Sequence, residues 1–442
     1  MSGGEKSMEE NNMKKLVPAL LALLLVLSMM PITVAAAEGT AIKTAADFEA
    51  IANDPTGVYY LANDIDFGGK VYEAGYILED FSGKLDGCGY ALFNYTITNG
   101  TGDVDVGTVL RLGKTAKDTI EIKNINFGKP DNLVKMIIND AAQGQSEGIV
   151  AAAQQNNGVE AVIENVNVYA DIKAEMNGKI NCAGFIGYSR FVTINKSTMN
   201  GNIAVGKPNE PDTVYKNAAG FIASGNDALA SLTDCTNNAT ITTYCSSVEA
   251  RAAGIVSYTG KTMSLTNCVN NGTITVMDGK EKAASQAAGI IADINGDFVY
   301  LKGCVNNGAI SASNWCGGIV AYVRKAGVEL DSCANYGTYT KDAAKAAAFV
   351  ATFDEAKAGD VNVMSNCKDE TGKAVVTTAP VTTKAPETTQ APETTKAPTT
   401  TEAPATTKAP ATTPSTADNG VVFMMAAMMA AAACVFMKKR AR

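Results

Sequence analysis

Short alternating runs of apolar and polar residues recur along the middle of the chain and predict a repetitive β-structure. Each copy reads Ala-Gly, two large apolar residues and a small one, then a run ending in Cys or Asn, then Asn-Asn-Gly and a run such as Thr-Ile-Thr. The best copies begin at Ala253, Ala288 and Gly317, weaker ones at Glu147, Ala183 and Ala219, and a decayed one at Ala347. The repeat glycines are Gly148, Gly184, Gly220, Gly254, Gly289 and Gly318, so the period varies between 29 and 36 residues.

Each repeat contains three short β-prone runs and no helical periodicity. One such unit cannot bury its apolar face alone, whereas stacked units share a continuous core. The pattern therefore predicts an all-β fold, a right-handed parallel β-helix, with its repeats over residues 101–372 and three strands in each coil.

The segment before the repeats has a different pattern. Residues 42–51 have apolar positions suited to a short helix, with Thr44 as its N-cap. Because a solenoid needs its open end covered, residues 38–100 are expected to form an N-terminal cap and the first coils.

Most cysteines occupy equivalent repeat positions. One set comprises Cys235, Cys268, Cys304, Cys333 and Cys367, and a second comprises Cys182 and Cys316. Such columns would stack at about 4.8 Å, and the three interpretations are a metal site, a disulfide ladder or buried thiols. The spacing matches no zinc template, and parallel side chains in register have poor disulfide geometry, so buried thiols are the favoured interpretation.

The Asn-Asn-Gly elements have a structural explanation. Asn and Gly tolerate the left-handed backbone that turns one strand into the next. Stacked Asn side chains can also bond to one another from coil to coil. These elements are therefore expected to form turns and ladders.

The first residues have the parts of a secretory signal peptide. Lys14 and Lys15 precede an apolar run, and small residues then lead to Ala37 and Glu38, the expected cleavage point. Residues 1–37 are therefore assigned to the signal, with Met13 as an alternative start.

The C-terminal part reads as a spacer followed by an anchor. Residues 373–416 repeat Thr, Ala and Pro, a composition that cannot build a core and favours an extended, disordered stalk. Residues 417–442 contain an apolar run, Val421–Met437, followed by a basic tail, as expected of a single transmembrane helix with a cytoplasmic end.

The same region resembles a Gram-positive cell-wall sorting signal. Pro414, Thr416 and Ala417 match a P-x-T-[G/A] pentapeptide ahead of the apolar run, although the usual leading Leu is Thr413 here. The resemblance implies sortase cleavage after Thr416, and an ordinary single-span anchor is the alternative. Either reading places the protein outside the cell, attached to the wall or the membrane.

The opening pattern I-x-T-x-x-D-F-x-x-I, followed by Y-x-L-x-N-D-I-D, F-x-G-x-L-D-G and A-G-[FI]-[IV] repeats, resembles bacterial surface proteins with pectin-lyase-like β-helices. The repeats are similar to the GLUG motif of adhesin-like proteins. The resemblance covers residues 40–370, and it implies a fold that hosts both adhesins and lyases.

Charge and composition exclude several functions. The net charge of −8 argues against nucleic acid as a partner. The absence of His removes catalytic triads and the common zinc hydrolase motifs. No catalytic residue, metal ligand or cofactor is predicted, because the repeat positions carry no acidic column. The best local carboxylate pairs, Asp64 with Asp66 and Asp103 with Asp105, are ascribed to turns, as is the segment from Asp293 to Asp297.

A binding surface has a modest basis in the repeat. The two residues after each repeat glycine are both large and apolar, so one column is expected to face outward unless the chain bends there. Tyr188, Tyr258 and Tyr322 recur two positions later, in alternate repeats, and tyrosines can stack on sugar rings. The expected function is a non-catalytic, adhesin-like protein that binds a glycan, a host surface or a neighbouring cell. The alternative is a tethered polysaccharide lyase or glycoside hydrolase.

Overall fold

A computed structural model describes most of the repeat region. The described residues are 38–99, 105–139, 145–154, 158–175, 178–207, 215–225, 229–245, 249–278, 285–324, 327–353, 363–369 and 374–377. The chain divides into two units, Met1–Thr383 and Lys384–Arg442, and all described residues belong to the first.

Several predictions lie outside these residues: the signal peptide with Met13 and Ala37, most of the stalk, the sorting residues Pro414, Thr416 and Ala417, and the apolar anchor. Of the stalk predicted over residues 373–416, Ala374–Thr377 are described and form a strand. Within the described ranges, no helix is long and apolar enough to cross a membrane.

The described chain is a parallel β-solenoid, as predicted, in which the strands of successive coils stack into a 23-stranded and a 15-stranded sheet. The larger sheet contains β1 (Thr40–Ile42), β2 (Val58–Leu61), β3 (Ile65–Tyr72), β5 (Lys84–Asp86), β6 (Ala91–Thr98), β8 (Ile120–Phe127), β9 (Val134–Asn139), β11 (Ala161–Glu175), β14 (Val192–Asn195), β15 (Thr198–Val205), β18 (Ala230–Thr233), β19 (Thr236–Asn237), β20 (Thr240–Cys245), β23 (Met263–Thr266), β24 (Val269–Asn270), β25 (Ile274–Asp278), β28 (Val299–Lys302), β29 (Val305–Asn306), β30 (Ile310–Ser311), β33 (Val328–Asp331), β34 (Ala334–Asn335), β37 (Val363–Lys368) and β38 (Ala374–Thr377).

The smaller sheet contains β4 (Tyr76–Phe81), β7 (Val106–Leu112), β10 (Gln145–Gln154), β12 (Ile180–Ala183), β13 (Ile186–Ser189), β16 (Lys216–Ala219), β17 (Ile222–Gly225), β21 (Ala250–Ala253), β22 (Val256–Thr259), β26 (Ser285–Ala288), β27 (Ile291–Ile294), β31 (Trp315–Gly317), β32 (Val320–Val323), β35 (Lys345–Ala347) and β36 (Val350–Phe353). The last described strand, β38, departs from the parallel pattern and pairs antiparallel with β37.

Each well-formed coil has more strands than predicted. Between residues 250 and 278 there are five, β21 to β25, instead of three. Two predicted runs are each split by a bend, one at the repeat glycine Gly254 and the other at Asn267, whose φ is +53°. The strands are shorter than the sequence runs because the coil has corners within them.

The left-handed residues are not where the sequence placed them, so that prediction was wrong. Seven of the nine described non-glycine residues with positive φ stand immediately before the cysteine positions, and Gly303, with φ +63°, is in the same column. The seven have φ between +48° and +56° and are Asn124, Asn165, Lys196, Asp234, Asn267, Ser332 and Asn366. Asn and Asp dominate this column because their short polar side chains tolerate the left-handed conformation.

The Asn-Asn-Gly elements do separate one strand from the next, as between β24 and β25, and they provide hydrogen-bonded ladders, as the sequence also predicted. The inner ladder consists of Asn237, Asn270, Asn306 and Asn335, all buried, and each side-chain amide donates to the next coil's Asn at 2.7 or 2.8 Å. The outer ladder consists of Asn200, Asn238, Asn271 and Asn307 and is largely exposed, with steps of 2.8–3.0 Å. The inner ladder satisfies polar groups inside the core, where an unpaired amide would be costly.

The repeat glycines make room for the inner ladder. A Cβ atom on Gly254 would lie 2.3 Å from the carbonyl oxygen of Gly289 and 2.4 Å from Oδ1 of Asn270. This glycine is therefore needed because the inner-ladder Asn of the same coil packs directly against it.

The main cysteine column stacks as predicted, with all five side chains buried and unpaired. Each thiol donates to a backbone carbonyl of the preceding coil; Cys268, for example, donates to Leu232 at 3.5 Å. Ser197 occupies the same position one coil earlier, where its hydroxyl accepts a hydrogen bond from Val166 N. Cys182 and Cys316 share a second, inward-facing column, again as predicted.

The N-terminal helix is present. Helix α1 (Ala45–Glu49) begins after Thr44, which forms a capping box with Asp47, and a 3-10 turn (Ala50–Asn53) follows. Phe48 and Ile51 are buried in the core. The role of this segment as a cap stays a prediction.

Candidate functional site

The chain bends sharply at each repeat glycine, and this bend decides which side chains reach the surface. Both residues after the glycine point into the core, so Phe185 and Ile186 are buried like their equivalents in later coils. The alternative of a bend at this point is therefore confirmed: both columns turn inward, and the described repeats carry no outward apolar stripe. Two strands of each coil meet at this bend, and their outer faces form the two walls of a concave groove.

One wall carries the predicted tyrosines. Tyr188, Tyr258 and Tyr322 stand in a single register column, with Ser224 and Asp293 between them. All three tyrosines are half-buried. Because parallel strands are about 4.8 Å apart, successive tyrosines are separated by roughly 9.6 Å.

The facing wall is a column that the sequence reading did not single out. It runs through Asn181, Asn217, Arg251, Gln286 and Trp315. Asn217 donates to Asn181 at 2.8 Å and Arg251 Nη1 donates to Asn217 at 3.2 Å, so a polar ladder continues along this wall.

Small residues line the bottom between the walls. Ala253, Ala288, Ala292 and Ala321 pack together there, outside the main core, with Trp315 against them. We call the two columns and this alanine floor the corner crevice. Its small floor residues allow side chains of opposite walls to touch.

Four charged residues bridge the crevice; we call Glu249, Arg251, Asp293 and Arg324 the ion cluster. Arg251 Nε lies 2.6 Å from Asp293 Oδ2, and Arg324 Nε lies 2.9 Å from both oxygens of Asp293. Glu249 pairs with Arg251 and, at 2.7 Å, with Nη2 of Arg324. Asp293 is completely buried. Its carboxylate therefore depends on the two guanidinium groups, since a buried charge without a partner is strongly unfavourable.

The electrostatics of the cluster favour the charged form of Arg324. Burial opposes the charge of Arg324, but the hydrogen bonds and charges of Asp293 and Glu249 outweigh it and raise the pKa of Arg324 above its ordinary value. Two arginines balance two carboxylates, so the cluster as a whole is neutral.

Aromatic rings surround the ion cluster. Trp315 stacks on Tyr322, with centroids 4.7 Å apart and an interplanar angle of 25°. The guanidinium carbon of Arg251 lies 5.1 Å from the Tyr258 ring centroid, and that of Arg324 lies 4.8 Å from the Tyr322 centroid. Distances of this order are typical of cation–π contacts, which hold the rings in place.

The predicted site residues are thus only partly brought together. Tyr258 and Tyr322 adjoin the ion cluster, whereas Tyr188 lies two coils from Tyr258, with Arg190 5.9 Å from its ring centroid. Asp293 is not in a turn, as the sequence suggested, but in strand β27.

The sequence reading missed Arg251, Asp293 and Trp315 as members of a site. The sequence does mark these residues, because each differs in type from the residues at the same position of neighbouring repeats. Arg251 and Trp315 replace Asn or Gln, and Asp293 stands where neighbouring coils carry Tyr.

The corner crevice can bind a ligand, but its two carboxylates, Asp293 and Glu249, are poorly placed for proton transfer. Both oxygens of Asp293 are engaged by guanidinium groups, as are those of Glu249. Among the described side chains, no group of three or more His, Cys, Asp or Glu could hold a metal ion. What the crevice offers a ligand is aromatic surface beside fixed, paired charges.

Known proteins give no activity that could be transferred to this chain. No protein-family model matches the sequence, and no curated protein matches it. One similar solved structure is that of a putative immunoglobulin A1 protease from Bacteroides ovatus, with 14% sequence identity, coverage of 77% of this chain and 80% of that chain, and a TM-score of 0.34. A TM-score this low gives no basis for transferring an activity.

Proposed function

We propose that the protein is a non-catalytic, adhesin-like surface protein that binds a glycan at the corner crevice. The observation that carries the proposal is the group of half-buried aromatic rings, Trp315, Tyr322 and Tyr258, fixed beside the neutral ion cluster. Aromatic rings present apolar faces together with polar edges, which suits the mixed surface of a sugar.

The alternative, a tethered polysaccharide lyase or glycoside hydrolase, is less well supported. A glycosidase needs one carboxyl with a raised pKa and a second nearby. Of the two local pairs considered above, the one with Asp105 also includes Asp103, which lies outside the described residues. In the other pair, Asp64 Oδ1 accepts from Ala91 N at 2.9 Å. Asp66 Oδ1 accepts from Gly68 N, and this hydrogen bond lowers the pKa of Asp66. Both carboxylates hold backbone in place, and the lowered pKa of Asp66 is the wrong direction for a general acid.

Glycan panels test the binding proposal. The purified protein is screened against plant, mucin and bacterial polysaccharides, and both binding and release of reducing or unsaturated ends are followed. We expect binding without turnover, and we expect Trp315→Ala to weaken it at least tenfold. Tyr336→Ala is the matched control, because Tyr336 is an exposed aromatic directly after β34, a strand of the other sheet. Turnover of any polymer would establish the enzymatic alternative instead.

We also propose an extracellular location, with the stalk holding the solenoid away from the wall or the membrane. The support is the sequence alone: the leader up to Ala37, the Thr/Pro segment and the terminal apolar run. If a sortase attaches the protein, Thr416→Ala abolishes covalent linkage to the wall, whereas the neighbouring Ser415→Ala does not. Wall fractions digested with a muralytic enzyme and blotted for the protein make the measurement. Absence of covalent linkage even in the unaltered protein would leave the simple membrane span, and unchanged linkage in Thr416→Ala would contradict cleavage at this threonine.

A further inference from the structure

We infer that the glycan is an extended, uncharged β-1,4-linked chain that lies along the solenoid axis, with every second sugar at one of the three crevice tyrosines. This inference rests on the proposed function and adds the class of the ligand, its direction and its minimum length.

The direction follows from the register. Tyr188, Tyr258 and Tyr322 occupy one column, and a column of stacked parallel strands runs along the axis. A linear ligand that contacts all three rings must therefore follow the axis.

The repeat length follows from the strand spacing. Neighbouring tyrosines are two coils apart, or roughly 9.6 Å. This is close to the length of one disaccharide in an extended β-1,4-linked chain, in which alternate sugars present the same face. Ser224 and Asp293, between the rings, are buried, and between Tyr258 and Tyr322 the intervening sugar lies over the guanidinium groups that cover Asp293, those of Arg251 and Arg324.

A neighbouring arginine holds each of the three tyrosine rings in place before a ligand binds. Each of the three has a guanidinium carbon within 6 Å of its centroid, contributed by Arg190, Arg251 and Arg324 respectively. Tyr258 is held further by Asn295, whose side-chain amide donates to its hydroxyl at 2.9 Å. Rings already ordered lose little conformational entropy on binding.

The charges select a neutral chain. Around Tyr258 and Tyr322, Asp293 and Glu249 already pair with Arg251 and Arg324. An acidic sugar would have to displace a carboxylate from these pairs, and the net charge of −8 repels polyanions in addition.

A length series tests the inference. Neutral β-1,4-linked oligosaccharides of two to six units, from the glucose and the N-acetylglucosamine series, are titrated calorimetrically into the full-length protein. We expect the affinity to rise in steps, by about tenfold when a third sugar reaches a second ring and again when a fifth sugar reaches the last. Galacturonate oligomers of the same lengths should bind at least tenfold more weakly.

Variants at the tyrosines show which ring is responsible for each increase in affinity. Tyr188→Leu keeps apolar bulk but removes the aromatic ring at one end, so it should abolish the gain from the fifth sugar. It should lower the trisaccharide affinity by only about twofold, because a trisaccharide can still span Tyr258 and Tyr322. Tyr258→Leu should abolish both gains, because it breaks the series in the middle. Tyr300→Leu is the control, an exposed tyrosine on the larger sheet. Circular dichroism of each variant establishes that it is folded.

The possible results distinguish the axial β-1,4-linked chain from glycan binding in general. Equal affinity for the disaccharide and the hexasaccharide, or tighter binding of the galacturonates, would overturn the inference while glycan binding still stood. No binding to any sugar in the series or in the wider panel would overturn both.

Discussion

Gly254 shows how strongly a single residue is constrained in this fold. An added Cβ would meet Gly289 O at 2.3 Å and Asn270 Oδ1 at 2.4 Å, and neither atom can move without breaking a coil contact. We expect Gly254→Ala to lower the free energy of unfolding by about 3 kcal/mol, measured by urea denaturation. Gly225→Ala is the control, since the nearest atom to its Cβ is the flexible end of Met263, at 3.1 Å, and the next, Ser189 Oγ and Tyr258 O, lie at ordinary contact distances of 3.6 and 3.8 Å. Equal losses in the two variants would contradict the packing account.

Glu147 is the second exceptional residue, a carboxyl in a core column. Its register partners are Val106 and Cys182, and neither carboxyl oxygen has a hydrogen-bond partner within the described part of the chain. Burial raises the pKa of Glu147 well above its ordinary value of 4.5; Asp105 raises it further, and Lys216 opposes the shift. The folded protein therefore holds this group neutral.

The sign of the resulting pH dependence follows directly. Above pH 4.5 the unfolded chain ionises Glu147 and the folded chain does not, so stability falls as the pH rises from that value towards the folded-state pKa. Glu147→Gln removes this term, and we expect it to stabilise the protein by about 2 kcal/mol at pH 7 and hardly at all at pH 4. Urea unfolding at both pH values makes the measurement, with the exposed Glu73→Gln as control. A gain of the same size at pH 4 would show that ionisation is not the cause.

The ladders are the elements that join one coil to the next, and two adjacent residues allow a clean test of them. Asn270 belongs to the inner ladder and Asn271 to the outer one. Asn270→Ala leaves Asn237 Nδ2 without one buried acceptor and Asn306 Oδ1 without one buried donor, and we expect a loss of about 3 kcal/mol. Asn271→Ala opens a step that water can replace, so its effect should stay within about 0.5 kcal/mol. The free energy of unfolding of both variants is measured by thermal and urea denaturation. Similar losses in Asn270→Ala and Asn271→Ala would show that the inner ladder does not join the coils.

The thiol column gives a chemical test of the same stacking. Cys88 is exposed, whereas the thiols of the column are buried in the structure. Iodoacetamide should therefore label Cys88 alone among these residues in the native protein, and the whole column only after denaturation without reductant. Peptide mass spectrometry distinguishes the sites. Column cysteines that stay unlabelled in denaturant would mean that they are oxidised.

The elements also show how far the sequence could be followed. Repeat glycines, cysteines and asparagines could be assigned to stacked columns because each coil places the same residue type at the same point. The angle at the repeat glycine could not be predicted, because it depends on the contact between Gly254 and Asn270, two segments of one folded coil. Without that angle, both the buried position of Ile255 and the contact across the crevice between Arg251 and Asp293 remained out of reach.

For the molecule as a whole, stability should be close to a sum over coils and their interfaces. Deleting residues 254–288 joins Ala253 to Gly289, which is the junction that Ala288 makes in the intact chain. Cys235 would then stack beneath Cys304, and Asn237 would bond to Asn306. We expect this variant to fold, with β-rich circular dichroism and a cooperative thermal transition.

A deletion of residues 254–284 supplies the control. It also removes most of one coil, but it places Ser285 after Ala253 and breaks the register of every column. This variant should fail to fold. Equal behaviour of the two deletions would show that register between coils is not what specifies the structure.

Stacking by identical columns has a genetic consequence. Because neighbouring coils present interchangeable surfaces, unequal recombination between two repeats of the gene adds or removes whole coils and needs no compensating mutation. Length can therefore change in a lineage by discrete steps, and each step also adds or removes a position along the corner crevice. Variation in the number of repeats would in this way alter how much of a polymer the protein can hold, faster than point mutation could build a new site.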